Sequence, residues 1–323
     1  MQDKYLIGID VGGTNTKIMI ADSSYHVVNK HTIPTRQSQG YETISDNIIA
    51  EIVRLCRQAG VKEDRIAAIG MGLPGVVDKK NSISIYLSHL NWNGFNPVEK
   101  IAAYFHTKAA IDNDANLNAL GEYYLGCHEA YSDMVMLTLG TGIGCGVIIG
   151  GRVYGGAGNL AAELGHMTIV SDDGERCLCG RRGCFEAYCS ATAMQNYALK
   201  MMEERKDTIL HKLAADNGGI YDNRLVSDGA RMKDELCLYI YRRFNHYFAI
   251  GVANLMKLFN PERIFIGGGL AEAGDLIFDP LNREVKQYLL HDKQYCVIEK
   301  SHLGYEAGAY GALVLANMIS RKD

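Results

Sequence analysis

The sequence predicts an α/β protein built as two domains, and three observations carry that reading. Short apolar strands alternate with stretches of helical periodicity along the chain. A unit of strand, glycine turn and strand occurs twice, at residues 5–20 and 134–149. The length of 323 residues, 47% of them apolar, suffices for two cores.

Taken in order, Tyr5 to Ile9 is an apolar strand that delivers Asp10 at its end. Val11, Gly12, Gly13, Thr14 and Asn15 turn the chain, and Lys17 to Ile20 reads as a second strand. A dinucleotide fingerprint or a P-loop runs from strand through glycines into a helix. A strand follows here instead. The unit is a hairpin whose tip offers backbone N–H groups and threonine hydroxyls, a cradle for phosphate oxygens. A third strand near Val27 to Ile33 leads to an amphipathic helix with Ile44, Ile48, Ile52 and Leu55 on its buried face. Gly60 stands where that helix should stop.

Arg65 to Met71 is a buried strand closed by Gly72, Leu73, Pro74 and Gly75, and the lone Trp92 follows Asn91 in a loop. Lys108 to Ile111 is another strand, and Asp112, Asn113 and Asp114 precede a helical run to Tyr124. An acidic residue there, Asp114, is by default the cap of that helix. It also lies at a strand end, where α/β proteins place their chemistry. Met134 to Leu139, the turn Gly140-Thr141-Gly142 and a strand to Ile149 then echo the first hairpin, as a second phosphate grip.

Three thiols and a histidine come next: His166, Cys177, Cys179 and Cys184. This Cys3His set suits tetrahedral zinc, and Gly180 and Gly183 let the backbone curl around one ion. Glu163 and Glu186 bracket the knuckle and suit the hydroxyls of a small polyhydroxylated ligand. Beyond it, Ser190 starts a helix, residues 203–227 read as short helices and loop, and one long helix is expected from about Asp228 to Phe259. A strand from Arg263 to Ile266 ends in Gly267, Gly268 and Gly269, backbone bare enough to approach a nucleotide base. A helix from Leu276 and a last one over about 306–318 complete the chain.

The formal charge of −4 offers no pull toward nucleic acid or an anionic membrane. No apolar run reaches the roughly 18–20 residues of a membrane span. The N-terminus enters a strand at once, so no signal peptide is expected. Nine cysteines, an odd number, favour metal and reduced thiols and a cytoplasmic location. Cys56, Cys127, Cys145, Cys189, Cys237 and Cys296 read as core filler.

These motifs resemble the ROK family of bacterial sugar kinases and sugar-responsive repressors. The resemblance rests on Asp-x-Gly-Gly-Thr at 10–14, Gly-x-Gly-x-Pro-Gly at 70–75 and Asn-Asp-Ala-Asn at 113–116. It continues through Gly-Thr-Gly-x-Gly at 140–144, the Glu-x-Gly-His and cysteine signature at 163–186, and Gly-Gly-Gly at 267–269. It implies an actin-like, ribonuclease-H-like two-domain ATPase fold with a hinge cleft for sugar and a structural zinc knuckle. The N-terminal domain would span 1–115, completed by residues 306–323, and the C-terminal domain 116–305.

The resemblance also implies roles. Asp114 would be the general base toward a sugar hydroxyl. Gly75, Asn91, Asn113, Asp114, Glu163, His166 and Glu186 would bind the sugar. Asp10 would help hold Mg²⁺, and Gly12, Gly13, Thr14, Asn15, Gly140, Thr141 and Gly142 would hold the phosphates of ATP. His166, Cys177, Cys179 and Cys184 would hold structural Zn²⁺. The activity implied is phosphorylation of a hexose, glucose first, with N-acetylmannosamine, N-acetylglucosamine and allose as alternatives. A sugar-sensing regulator lacking its DNA-binding domain is the reading from another class. The partners expected are sugar and ATP, with no nucleic acid or membrane, in a homodimer.

Overall fold

The computed structural model describes residues 4–87 and 92–321. The chain forms two compact units. One comprises Met1–Ser132, Gly146–Ala162 and His302–Asp323, the other Asp133–Cys145 and Glu163–Ser301.

The first unit begins with strands β1 (Tyr5–Val11), β2 (Asn15–Asp22) and β3 (Val27–Pro34), joined as consecutive antiparallel neighbours. β4 (Ile66–Leu73) pairs parallel to β1, a small hairpin of β5 (Gly75–Asp78) and β6 (Ile83–Leu87) follows, and β7 (Lys108–Asn113) pairs parallel to β4. The sheet order is β3-β2-β1-β4-β7. In register, Asp10 lies beside Gly72, and Gly72 beside Asp112. Three strand ends therefore line up at the carboxyl edge of the parallel strands, the edge that α/β sheets use for ligands.

Alternation along β1 feeds two separate cores, because successive strand residues face opposite ways. Ile7 and Ile9 join Ile18, Ile20, Ile44, Ile48 and Ile52 under the helix Tyr41–Ala59. Leu6 joins Met19, Ala68, Ala309, Leu313 and Ala316 under the helix Ala307–Ser320. The first helix stops at Gly60 with φ 68°, as its sequence implies. The helix that opens at Asp114 (Asp114–Gly121) packs into this unit, against Ala307–Ser320. Gly311 permits that contact, since any side chain there would strike the Leu117 carbonyl.

The second sheet has the order β10-β9-β8-β11-β12, from β8 (Met134–Leu139), β9 (Ile143–Ile149), β10 (Arg152–Val153), β11 (Arg263–Gly267) and β12 (Val297–Lys300). β11 pairs parallel to both β8 and β12. In the core of the second unit Phe248 of the helix Glu235–Phe259 meets both Phe185 and Phe244. The single helix expected from Asp228 to Phe259 is two helices, Asn223–Arg231 and Glu235–Phe259. Lys233 takes a left-handed φ of 64°, and the Asp234 carboxylate accepts the Cys237 N–H at 3.0 Å as a new cap. Among the described residues no helix is long and apolar enough to cross a membrane.

Candidate active site

In the first unit the turn after β1 is tight. The Gly12 N–H donates to the Asn15 carbonyl at 2.9 Å, so that amide is spent in closing the turn. A neighbouring segment braces it. Thr35 donates its hydroxyl to the Gly12 carbonyl at 2.7 Å and its N–H to the Thr14 carbonyl at 2.8 Å, and Gln37 donates to the Gly13 carbonyl. Thr14 and Asn15 are left exposed at the tip.

Asp10 forms an ion pair with Lys17 at 3.1 Å. Lys17 also donates to the Tyr305 carbonyl at 2.6 Å and lies over that tyrosine ring at 3.5 Å from its centroid. Sequence reasoning passed over Lys17 because it looked like an ordinary strand residue. Its signal was parity: it pairs directly opposite Asp10 across the hairpin. Behind Asp10 stands Gly308, where a Cβ would lie 2.9 Å from the carboxyl carbon. Asp114 lies close by, since a Cβ on Gly72 would be 3.7 Å from both Asp10 Oδ1 and Asp114 Cα. Bare backbone at Gly72 thus lets the two acidic residues flank one spot.

The cap of the helix Asp114–Gly121 is Asn113, with Asp114 its first helical residue. Asn113 Oδ1 accepts from the N–H groups of Ala115 at 2.9 Å and Asn116 at 3.1 Å. Its Nδ2 donates to the Gly75 carbonyl at 2.9 Å. The oxygen is therefore committed to the helix, and one of the two amide hydrogens is committed to Gly75. Asp112, which the sequence reading left out of the site, is buried just before them. Asn91 lies outside the described residues. Its neighbour Trp92 is 2% exposed and meets Tyr41 edge to face at 5.8 Å, so it anchors the loop from inside.

In the second unit the turn Gly140–Gly142 closes with the Gly140 N–H on the Gly142 carbonyl at 3.0 Å. Glu186 buttresses it: Oε2 accepts the Ile143 N–H at 2.9 Å, and Gly142 is bare where a side chain would strike that carboxylate. The other oxygen lies 3.8 Å from Cys177 Sγ. Glu163 is surface-accessible, yet desolvation by surrounding protein atoms raises its carboxyl above the usual range. His166 opposes that rise and Glu186 adds to it.

The four knuckle residues converge. The ligand atoms of His166, Cys177, Cys179 and Cys184 all lie within 4.8 Å of one another and could hold a metal ion. Cys177 Sγ is 3.7 Å from His166 Nδ1, and Cys179 Sγ is 3.7 Å from Cys184 Sγ. Ligands about 2.3 Å from a tetrahedral ion stand about 3.8 Å apart along each edge. Burial pushes the Cys177 thiol up to about 12, an environment that a bare thiolate would not tolerate but a cation would relieve. Gly180 and Gly183, at φ 85° and 76°, make the two tight bends that bring Cys184 back.

Of Gly267, which ends β11, and the two glycines after it, Gly268 is the one dictated by packing. A side chain at Gly268 would strike the Leu139 carbonyl, and one at Gly267 would come within 2.8 Å of Met136. Gly269 alone faces open space, as does Gly140. A cavity of about 220 Å³ opens beside Thr141, lined by Cys177, Glu186, Ser190, Lys200 and Arg243 among others. Ser190 caps the helix Ala191–Glu204 through the Ala193 N–H at 3.0 Å. Arg243 lies 4.0 Å over the Tyr197 ring and 3.2 Å from Glu175. Lys200 and Arg243 sit within helices and belong to no motif, so only the fold reveals them.

The sequence model of the ROK family matches residues 6–319. The chain is 33% identical over 291 residues to a glucokinase of Halalkalibacterium halodurans, covering 90% of this chain and 88% of that one. It is 32% identical over 315 residues to a glucokinase of Streptomyces coelicolor, covering 96% of each. A ROK family glucokinase from Streptomyces griseus, crystallised with glucose and AMPPNP, superposes with a TM-score of 0.83 at 29% identity, over 97% of this chain and 99% of that one. The two units thus carry the actin-like ATPase fold. With the match running from the first strand into the last helix, and a third of the residues shared with enzymes of nearly equal length, this chain belongs to the ROK family.

Proposed function

We propose that this protein is an ATP-dependent hexose kinase that phosphorylates glucose, giving glucose 6-phosphate. The observation that carries the reading is the Asn113 cap. It sets Asp114 as the first residue of a helix, directly after the carboxyl end of β7 and with its Cα beside the Asp10 carboxylate. A sugar hydroxyl is a weak nucleophile, and a positioned carboxylate base contributes roughly 10²–10⁴-fold. Asp114 takes the hydroxyl proton as the oxygen attacks the γ-phosphorus of ATP, and the bond from that phosphorus to the bridging oxygen of ADP breaks.

Gly75, Asn91, Asn113, Glu163, His166 and Glu186 bind the remaining hydroxyls. Gly12, Gly13, Thr14, Asn15, Gly140, Thr141 and Gly142 hold the phosphates, helped by the cations of the cavity beside Thr141. Gly267, Gly268 and Gly269 approach the base, with Gly269 the open one. Asp10 is the residue suited to Mg²⁺, through water, and the ion supplies charge neutralisation on the phosphates. The knuckle's three thiols and imidazole suit Zn²⁺, which supplies rigidity rather than chemistry. The protein acts in the cytoplasm as a homodimer, without nucleic acid.

The support from comparison is the two glucokinases above and the glucose- and AMPPNP-bound Streptomyces griseus enzyme. A coupled ADP-release assay over glucose, allose, N-acetylmannosamine and N-acetylglucosamine tests the reading. Glucose is expected to give the highest kcat/KM. ADP release with none of the four overturns the kinase, and a higher value for another sugar overturns glucose.

A further inference from the structure

Asp112 is a carboxylate, 6% exposed, that neither the phosphates nor the sugar requires. A buried charge persists only when it is paired and hydrogen-bonded, and Asp112 is both. Oδ1 accepts the Asn113 N–H at 2.6 Å and Asn116 Nδ2 at 3.0 Å. Oδ2 receives Lys79 Nζ at 2.7 Å. Lys79 directly follows β5, in a turn that Asp78 holds by accepting the N–H groups of Lys80 at 3.0 Å and Asn81 at 3.2 Å. At the other end of β5, the Gly75 carbonyl accepts Asn113 Nδ2 at 2.9 Å. The hairpin is therefore fastened to the segment Asp112–Asp114 at both ends of one strand.

We propose that Asp112 and Lys79 form a positioning pair, which holds the β5–β6 hairpin against Asn113 and Asp114 and so sets the base relative to the bound sugar. This rests on the reading of Asp114 as the base. Neither residue touches the reacting atoms. Their effect passes through Asn113, which Asp112 grips by its N–H and the hairpin grips by its side chain. Displacements of about 1 Å remote from the chemistry can cost about 10²-fold in rate.

The test is steady-state kinetics with glucose and ATP on Lys79→Met, Lys79→Arg and the double variant Lys79→Met/Asp112→Asn. Lys79→Met leaves the Asp112 charge buried without its cation, and kcat/KM for glucose is expected to fall about tenfold, with KM for ATP unchanged. Lys79→Arg keeps the cation and restores most of the loss. In the double variant the amide oxygen at 112 still accepts from Asn113 and Asn116 and needs no counter-ion, so it is expected within about threefold of wild type. Hydrogen exchange of the amides at 113–117, measured without sugar, is expected to speed up in Lys79→Met alone.

Lys79→Met within twofold of wild type, an equal rise in the KM for ATP, or a double variant at least as impaired as Lys79→Met would each overturn the pair. Wild-type protein inert toward glucose overturns the glucose reading instead, and unchanged exchange at 113–117 in Lys79→Met then overturns the pair independently.

Discussion

Glu186 Oε2 accepts the Ile143 N–H at 2.9 Å, so one carboxylate beside the cysteine knuckle also holds the glycine turn Gly140–Gly142. Glu163 has no such bond to that turn among the described contacts. The two glutamates, which look equivalent in the sequence, therefore separate in a kinetic experiment. Glu186→Ala is expected to raise the KM for both glucose and ATP, each by about tenfold, the equivalent of about 1.4 kcal/mol. Glu163→Ala raises the KM for glucose alone. An unchanged KM for ATP in Glu186→Ala would show that the turn does not depend on this bond.

Asp114→Asn is a clean substitution because the cap belongs to Asn113. The helix keeps its cap, Asn at 114 can still accept the Ala115 N–H that Asp114 Oδ1 accepts at 2.8 Å, and loss of the first-turn charge costs about 0.3–1 kcal/mol. Turnover is expected to drop by about 10²-fold or more, with glucose affinity held. Asn113→Ala should do the reverse in stability, costing about 0.5–2 kcal/mol through the lost cap. Paired melting and turnover measurements decide it: near wild-type turnover in Asp114→Asn removes the base assignment.

For Glu163 the raised carboxyl makes binding depend on pH. Ionised, it is a pure acceptor for hydroxyls, and protonated it is not. The KM for glucose is expected to rise as pH falls through a midpoint above the ordinary glutamate value of about 4.3. The folded chain holds this proton more tightly than the unfolded chain does. The related stability is thus present below about 4.3 and lost as pH rises through the folded value. Glu163→Gln should flatten the dependence, and a pH profile of KM that stays unchanged in that variant excludes Glu163 as its source.

Metal analysis is expected to find about one zinc per chain. An ion held at 1,000 times its Kd adds about 4 kcal/mol. At about 1.5 °C per kcal/mol for a chain of 323 residues, stripping it should lower Tm by about 6 °C. Zinc added back should restore both Tm and turnover. Metal-free protein with the original Tm would contradict a structural ion.

Local chemistry that repeats along the chain was legible in the sequence. Both glycine hairpins, the helix stop at Gly60 and the cap at Ser190 follow from residue type and spacing. The break at Lys233 was not, because the apolar rhythm continues on both sides of it while a left-handed φ leaves no mark in hydrophobic spacing. Asn113 and Asp114 are almost equally good caps, so only the backbone distinguishes them. Lys17, Lys79 and Arg243 escaped notice for a shared reason. Each has a partner far away in the chain or across a turn, and pairing of that kind is decided by topology.

Helix Ala307–Ser320 covers the face of the first sheet that presents Leu6, Met19 and Ala68. A strand formed near residue 5 therefore waits for residues beyond 307 before that face is closed. On the ribosome, at about 5–20 residues per second, this leaves an apolar sheet face uncovered for many seconds. During that interval Asp10, which packs against Gly308, lacks its backing as well. The nascent chain can thus present its first strands early, while the pocket around Asp10 matures only after the last helix has left the exit tunnel.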